Sequence, residues 1–187
     1  MRRILLATAG LTVALAAQAE VFKLDVDHAE IGFAVKHMMV SNTKGSFTTF
    51  NGTVDYDIAS KTLNRIEGYI EAGSINTHNE KRDKHLRNED FFNVGQHPRI
   101  TFRSSAVKKI GDNTFEVTGL LNILGTDHTV TLPVKVNGPV DDPWGNKRIG
   151  LECSTVLNRR DLGLTHSPAA MIGDAVKVQI EAEAIHN

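Results

Sequence analysis

The sequence predicts an all-β protein, an eight-stranded antiparallel up-and-down barrel with one short helix, and two observations and one physical argument support this fold. Apolar and polar residues alternate with a period of two in eight separate segments, which is typical of strands that bury one face. Most joints between these segments are short and rich in turn residues, so neighbouring strands are predicted to be antiparallel. Closing such a meander into a barrel also removes its exposed edges.

The alternating segments follow one another along the chain without a linker or an internal repeat, which indicates one domain. The predicted strands are centred on residues 31–35, 54–58, 66–72, 100–102, 115–123, 130–136, 149–153 and 176–182. Short joints such as KIGDNT and DDPWGN separate most of them. Two joints are longer, residues 74–97 and 158–173. The first of these is predicted to carry the helix, which therefore lies between the third and fourth strands.

The first 19 residues have the pattern of a secretory signal peptide. Two arginines precede an apolar stretch that is too short to cross a membrane, and the small residues Ala17 and Ala19 come just before Glu20. No later stretch is long and apolar enough for a transmembrane helix. We therefore expect a mature domain of residues 20–187 that is exported as a soluble protein, without stable membrane insertion.

The charge of the chain excludes a nucleic-acid-binding protein, and its cysteine content excludes a domain stabilised by internal disulfides. Without Arg2 and Arg3, the chain has 19 Lys and Arg against 22 Asp and Glu, a formal charge of −3. Because a nucleic-acid-binding protein needs a basic face, no nucleic-acid partner is expected. Cys153 is the only cysteine, so the chain contains no internal disulfide. Its alternating place in LECST predicts a buried, unreactive thiol.

Residues 78–87 are predicted to form the helix. Thr77 and Glu80 have the spacing of a capping box, which marks a helix start. His78, Arg82 and His85 then fall along one side of the helix.

This charged stretch allows three interpretations. It is a metal or acid–base site, a solvated helix that packs on the barrel through Leu86, Phe91 and Phe92, or a cationic lid beside an apolar cavity. No HExxH, CxxC or HxH motif occurs in the chain, so no metal site is expected. The lid would present a set of basic side chains, namely Lys81, Arg82, Lys84 and Arg87.

An eight-stranded barrel is either filled by side chains or holds one small ligand. Small residues such as Gly68, Gly119 and Ala182 fall in the inward phase, where they leave volume, although the glycines alternatively mark bends in the strands. We expect an apolar ligand cavity lined by Ile31, Phe33, Val35, Gly68, Ile70, Phe92, Ile100, Phe102, Val117, Gly119, Leu121, Val178 and Ile180.

Polar residues near the mouth of this cavity are candidates for contacting a ligand's head group. His37 keeps the inward phase of its strand and lies near the end of that strand. The two long joints both follow odd-numbered strands, so they lie at the same end of a meander. The head-group candidates are His37, Arg82, His85 and Arg159.

Motifs of catalysis are missing from the sequence. His166 and Ser167 lack the GxSxG context of a nucleophile elbow, and no GxxxxGK[ST] phosphate loop occurs. We therefore expect a binding protein that is not an enzyme, with no cofactor other than a bound lipid-like ligand. A lipid-acting hydrolase and a ligand-free structural or stress protein are the alternatives.

Four stretches, in this order and spacing, resemble the YceI family of lipocalin-like periplasmic proteins. They are DVDHAEIGFAVKHMMVSNTKGSF, SINTHNEKRDKHLRNEDFFNVGQHPRITFRSS, GLLNILGTDHTVTLPV and NRRDLGL. The similarity extends from Phe22 to Ile185. One departure is Ala29 after His28, where a serine is expected, so a side-chain hydrogen bond from that position is missing.

The resemblance implies a lipocalin-like barrel in the periplasm whose interior binds long apolar molecules, such as polyisoprenoids, isoprenoid quinones or fatty-acyl amides. It supplies a ligand class and no reaction. The expected function is that of an exported binding protein that holds such a ligand for carriage or storage. A homodimer is one assembly that the sequence leaves open.

Overall fold

The computed structural model describes residues 19–187, so the predicted signal peptide lies outside the described residues apart from Ala19. Helix α1 spans Glu80–Arg87, and a 3-10 helix spans Ala72–Ser74. The strands are β1 (Glu20–His37), β2 (Ser41–Phe47), β3 (Phe50–Asp57), β4 (Thr62–Glu71), β5 (Ile75–Asn76), β6 (Arg99–Lys109), β7 (Thr114–Ile123), β8 (Thr126–Asp141), β9 (Lys147–Asn158) and β10 (Ile172–His186).

The strands form a closed antiparallel barrel with eight strand positions, which confirms the predicted fold. β2 pairs with residues 31–37 of β1, and β3 pairs with residues 20–23 of the same strand. These two short strands therefore share one barrel position, interrupted at Thr48 and Thr49. β10 pairs with β1 and closes the barrel, while the two-residue strand β5 pairs with the end of β2.

Strand β2 was not predicted from the sequence. Its residues SNTKGSF lack alternating apolar side chains. Seven consecutive residue pairs with β1, from Ile31 with Phe47 to His37 with Ser41, hold it in the sheet. Backbone pairing to a long neighbouring strand supplies hydrogen bonds whatever the side chains are, so this strand leaves a weak sequence pattern.

The helix lies between the third and fourth barrel strands, as predicted, but it starts differently. Asn79 is the N-cap, and its side-chain oxygen accepts a hydrogen bond from the Arg82 backbone N–H at 3.0 Å. The capping box of Thr77 and Glu80 is therefore wrong. His78 has a left-handed backbone with φ of +58°, which separates Thr77 from the first turn of the helix.

A packed core fills one end of the barrel, which carries the C-terminus and the β3–β4, β6–β7 and β8–β9 turns. Phe22 and Tyr56 meet edge to face there, with ring centroids 6.4 Å apart. Leu63, Phe115 and Ile149 are fully buried beside them. Burial of these large side chains drives the closure of this end of the barrel.

The opposite end, here called the open end, carries the β1–β2 turn and the two long connections. A smaller apolar cluster of Ala72, Ile100, Ile123 and Leu162 packs near it. Among residues 19–187, neither helix has the length and hydropathy needed to cross a bilayer.

Candidate ligand-binding cavity

An apolar cavity of about 520 Å³ lies in the barrel between the packed core and the open end. All eight barrel positions contribute side chains to its wall. Eleven of the thirteen residues that the sequence predicted for this wall line the cavity, namely Ile31, Phe33, Val35, Gly68, Ile70, Phe92, Ile100, Phe102, Leu121, Val178 and Ile180.

Val117 and Gly119 do not line the cavity, contrary to the sequence-based expectation. Val117 is fully buried in the packed core. A Cβ added to Gly119 would lie 2.5 Å from the Arg103 carbonyl oxygen and 2.6 Å from Cζ of Phe102. Both residues point inward as predicted, but neighbouring atoms fill the space in front of them. The volume expected at Gly119 is therefore occupied by the Phe102 ring.

Gly68 has a different reason to be glycine. It lies directly opposite Gly52 in the β3–β4 pair, and a Cβ added to it would lie 2.7 Å from the Asn51 carbonyl oxygen. Close approach of two backbones explains both glycines.

Several wall residues were missed by the sequence reasoning. Phe47 ends strand β2 and packs between Phe33 and Phe92, with ring centroids 5.9 and 5.8 Å away. Leu162 and Leu164, in the second long connection, also line the cavity. The alternation of DLGL was the available signal for these leucines, while Phe47 belongs to a strand that has no such pattern.

All four head-group candidates, His37, Arg82, His85 and Arg159, line the cavity at its open end. Their availability to a ligand differs. The Arg82 guanidinium donates from Nε to the Thr77 hydroxyl at 2.7 Å and from Nη2 to the Thr77 carbonyl at 2.8 Å. Its Nη1 makes no hydrogen bond to another described residue, so Arg82 keeps donors for a ligand.

Arg159 has no such donors to spare. Its five N–H groups donate to backbone carbonyl oxygens of Gly173, Leu164, His166, Ser167 and Ile172. Burial lowers the pKa of the Arg159 guanidinium, which lies 3.0 Å from an Asp174 oxygen. The head-group role expected for Arg159 is therefore replaced by a structural one, since this residue shapes the second long connection.

A cluster at the open end joins the two long connections. His85 Nε2 lies 2.9 Å from Asp90 Oδ2, and His166 Nδ1 lies 3.5 Å from Asp90 Oδ1. The Phe91 ring contacts both imidazoles, with centroids 5.1 and 5.0 Å away. The hydrogen bond with His85 holds the pKa of Asp90 below its ordinary value, and the charge of His166 adds to the effect. The sequence did not reveal the contact with His166, because 76 positions separate it from Asp90.

The same cluster has the composition of a metal site. Its three ligand atoms lie within 4.8 Å of one another. Histidine and carboxylate are ordinary zinc ligands. However, all three side chains are at least partly exposed, and Asp90 already pairs with both histidines. The arrangement is explained by these pairs without an ion.

Cys153 is buried, as predicted, and lies in the cavity wall. Burial raises the pKa of its thiol to about 11. The thiol is therefore protonated at neutral pH and behaves as a small apolar group, not as a nucleophile.

Comparison with known sequences identifies relatives along most of the chain. The family model of the YceI-like domain matches residues 22–184. A UPF0312 protein of Pectobacterium atrosepticum is 39% identical over 161 residues, which cover 86% of this chain and 82% of the relative. Protein YceI of Salmonella newport is 37% identical over 151 residues, which cover 80% and 78% of the two chains.

Solved structures share the barrel. BcnA of Burkholderia cenocepacia matches with a TM-score of 0.78 at 23% identity, over 86% of this chain and 99% of its own. A YceI protein of Campylobacter jejuni matches with a TM-score of 0.76 at 30% identity, over 81% and 90%. A polyisoprenoid binding domain from Saccharophagus degradans matches with a TM-score of 0.70 at 14% identity, over 91% and 100%. With the family match over residues 22–184 and this shared fold, the chain belongs to the YceI-like family.

Proposed function

We propose that this protein is a periplasmic binding protein that holds one long apolar molecule in its barrel, for carriage or storage. The observation that carries the proposal is the apolar cavity of about 520 Å³, which has polar side chains gathered at one end. Ligand sites typically have volumes of about 300–1,000 Å³, mostly apolar walls and a few polar groups. The cavity has all three properties.

The ligand class that we propose is a polyisoprenoid, an isoprenoid quinone or a fatty-acyl amide. The polyisoprenoid binding domain of Saccharophagus degradans, which shares the barrel, supports this class. Each buried CH₂ group contributes about 0.8 kcal/mol. A tail of about ten carbons therefore gains about 8 kcal/mol before the costs of ordering and association. Affinity would come from the tail, and selectivity from Arg82 and His85 at the open end.

Binding without catalysis is the better supported function. The Cys153 thiol in the cavity wall is held protonated by burial, so it is a poor nucleophile. Arg159, the most buried charged side chain near the cavity, is fully used by backbone carbonyl oxygens. We propose that function requires neither a metal ion nor a cofactor.

A tryptophan placed in the wall tests the cavity. Val178 faces the cavity from β10, and Val178→Trp should block it and abolish uptake of an isoprenoid quinone by delipidated protein. Val156→Trp is the matched control, since Val156 is exposed on the outer face of the neighbouring strand opposite Lys177. Native mass spectrometry of each protein after incubation with the quinone gives the readout. Equal uptake by both variants would contradict binding in the barrel.

Export needs a separate test. We propose that residues 1–19 direct the chain to the periplasm. Cell fractionation should find the mature chain, starting at Glu20, in the periplasmic fraction. Deletion of residues 2–19 should leave the protein in the cytoplasm. Periplasmic recovery of the deleted form would contradict this role.

A further inference from the structure

The open end carries an exposed group of large apolar side chains, here called the apolar tip. It consists of Met38, Met39 and Val40 in the β1–β2 turn and Met171 just before β10, which are 56%, 62%, 83% and 50% exposed. The Met38 backbone N–H donates to the Met171 carbonyl at 2.8 Å, so the two segments form one surface. Adjacent exposed apolar side chains on a soluble domain mark an interaction site more often than isolated ones do.

The backbone of the turn gives a second reason to look for a function. Met38 and Met39 both have left-handed backbones, with φ of +48° and +59°, and the Val40 N–H donates to the His37 carbonyl at 3.1 Å. A β-turn whose two central residues both have left-handed backbones favours Asn and Gly at those positions. Two methionines are strained at these positions and expose apolar surface to water, so folding does not explain their presence.

The apolar tip lies beside the mouth of the cavity. His37 and Ile172, which flank it in sequence on the two strands, both line the cavity wall. The packed core occupies the opposite end of the barrel. A long apolar ligand entering or leaving the cavity therefore passes close to the tip.

Three lysines surround the tip on the outer face of the barrel and are here called the lysine collar. Lys44 and Lys177 lie on either side of Ala34, directly paired with it in β2 and β10. Lys36 is in phase with Ala34 on β1, two residues before the turn, and also borders the mouth of the cavity. All three are exposed, and none forms a salt bridge with another residue of the described range 19–187.

The spacing of tip and collar matches the layers of a bilayer surface. Ala34 is four residues from Met38, which corresponds to about 13 Å along a strand. Apolar side chains of peripheral proteins are buried about 5–10 Å into the boundary between headgroups and acyl chains. With the tip at that depth, the flexible lysine side chains reach the level of the lipid phosphates.

We propose that the apolar tip and the lysine collar dock this protein on the surface of an anionic lipid bilayer, with the mouth of the cavity facing the membrane. The free positive charge of the collar selects an anionic bilayer over an uncharged apolar partner. Docking goes beyond the proposed function and does not require a ligand. Direct transfer of a ligand between the bilayer and the barrel requires both this docking and the proposed binding function.

Vesicle flotation of the delipidated full-length mature protein tests the docking. Vesicles of equal parts phosphatidylglycerol and phosphatidylcholine should carry the protein, while pure phosphatidylcholine vesicles should carry much less. In about 1 M salt, where the Debye length falls to about 3 Å, the difference between the two should disappear. Equal binding to both vesicles at low salt would overturn the anionic preference, and no binding to either would overturn the docking.

The double variant Met38→Asn/Met39→Gly is the sharpest test, because it installs the residues that the turn prefers. It should raise the melting temperature, yet weaken vesicle binding about tenfold or more, since two apolar side chains are lost. Trp144→Ser is the matched control, since Trp144 is exposed in the β8–β9 turn at the opposite end of the barrel. Equal loss of vesicle binding in both variants would overturn the assignment to the tip.

The collar is tested separately by Lys36→Gln, Lys44→Gln and Lys177→Gln. Each change should weaken binding to anionic vesicles about fivefold. Lys108→Gln is the control, because Lys108 lies on the outer face at the end of β6 that is far from the tip, and this variant should bind as the wild type does. Light scattering tests whether the tip instead binds a second copy of the chain. If the wild type is a dimer, and Met38→Asn/Met39→Gly is a monomer with unchanged vesicle binding, the tip is a dimer interface and the proposal is wrong.

Ligand uptake from detergent separates this proposal from the proposed function. The double variant should take up an isoprenoid quinone from detergent solution as the wild type does, but more slowly from vesicles. Vesicle binding without any quinone uptake overturns the binding function alone. Quinone uptake without vesicle binding overturns the docking alone.

Discussion

The Asp83 carboxylate accepts two hydrogen bonds from Thr77, at 2.8 Å from the backbone N–H and at 2.6 Å from the hydroxyl. Both residues are buried. The same hydroxyl accepts a hydrogen bond from Arg82 Nε, so helix α1 is fixed to the segment that precedes it. This network positions Arg82 and His85 at the open end of the cavity.

Replacement of Asp83 should therefore destabilise the protein. Asp83→Ala leaves the buried Thr77 N–H without a partner, and the expected loss in the free energy of unfolding is about 1.5–3 kcal/mol. Urea denaturation of the variant measures it. Glu80→Ala, on the exposed first turn of the same helix, is the control and should change stability by less than about 0.5 kcal/mol. Equal effects of the two changes would contradict a special role for Asp83.

Gly119 should not tolerate a side chain. Gly119→Ala forces a Cβ to within 2.5 Å of the Arg103 carbonyl oxygen, a backbone atom that cannot move without distorting the β6–β7 pair. We expect a loss of about 1–3 kcal/mol, as is typical of overpacking. Gly150→Ala is the control, because a Cβ there would meet its nearest atom at an ordinary 3.6 Å. Thermal unfolding of both variants distinguishes this result from the sequence-based expectation that Gly119 leaves volume in the cavity.

Cys153 should report occupancy of the cavity. As the only cysteine, it gives one labelling site, and its raised pKa of about 11 makes alkylation slow at pH 7 and faster as the pH rises. A bound isoprenoid quinone should slow alkylation further, because the thiol lies in the cavity wall. Mass spectrometry after timed exposure to an apolar maleimide measures the rate. Equal rates with and without the quinone, at quinone concentrations that saturate uptake, would place the ligand elsewhere.

Arg148 should stabilise the end of the barrel that is filled by the packed core, in a pH-dependent way. It lies 2.6 Å from carboxylate oxygens of both Asp25 and Glu183, and its hydrogen bond holds the pKa of Asp25 below the ordinary value. Because this pairing lowers the pKa of Asp25, it stabilises the folded protein at pH values above the ordinary pKa of aspartate, about 3.9. The stabilisation is lost as the pH falls towards the pKa that Asp25 has in the folded protein. Arg148→Met should cost about 1.5–3 kcal/mol at pH 7.

Denaturation curves between pH 7 and pH 3 check the sign of this effect. The difference in stability between the wild type and Arg148→Met should shrink as the pH falls below about 4. A difference that stays constant over this range would mean that Arg148 acts through packing and not through its pairing with Asp25.

Arg82 should distinguish ligands by the charge of their head groups. Its Nη1 has no hydrogen-bond partner among residues 19–187, so Arg82→Ala should weaken binding of a polyprenyl phosphate by about 1.5–3 kcal/mol. Binding of the matching uncharged polyprenol should hardly change, which also shows that the cavity is intact. Titration calorimetry with both ligands measures the effect, and Lys84→Ala on the exposed face of α1 is the control. Unchanged phosphate binding at low salt would mean that α1 is a solvated helix without a head-group role.

Much of the barrel could be predicted from the sequence because a strand with one buried face must alternate in polarity. Such alternation identified eight strand positions and the inward phase of residues such as Phe33 and Val178. The charged stretch between two strands likewise indicated a helix over residues 78–87, which begins two residues before the observed helix Glu80–Arg87. These features depend on neighbours in sequence, which is why they could be read without coordinates.

Depth along the barrel and contacts between distant segments were decided only by the tertiary structure. Alternation places Gly119 on the inner face, but only packing shows that the Phe102 ring fills the space before it. The basic character of Arg159 suggested a ligand contact, whereas the folded connection surrounds it with carbonyl oxygens. His85 and His166 meet because two long connections leave the same end of the barrel. Periodicity specifies a face, and long-range packing specifies what that face touches.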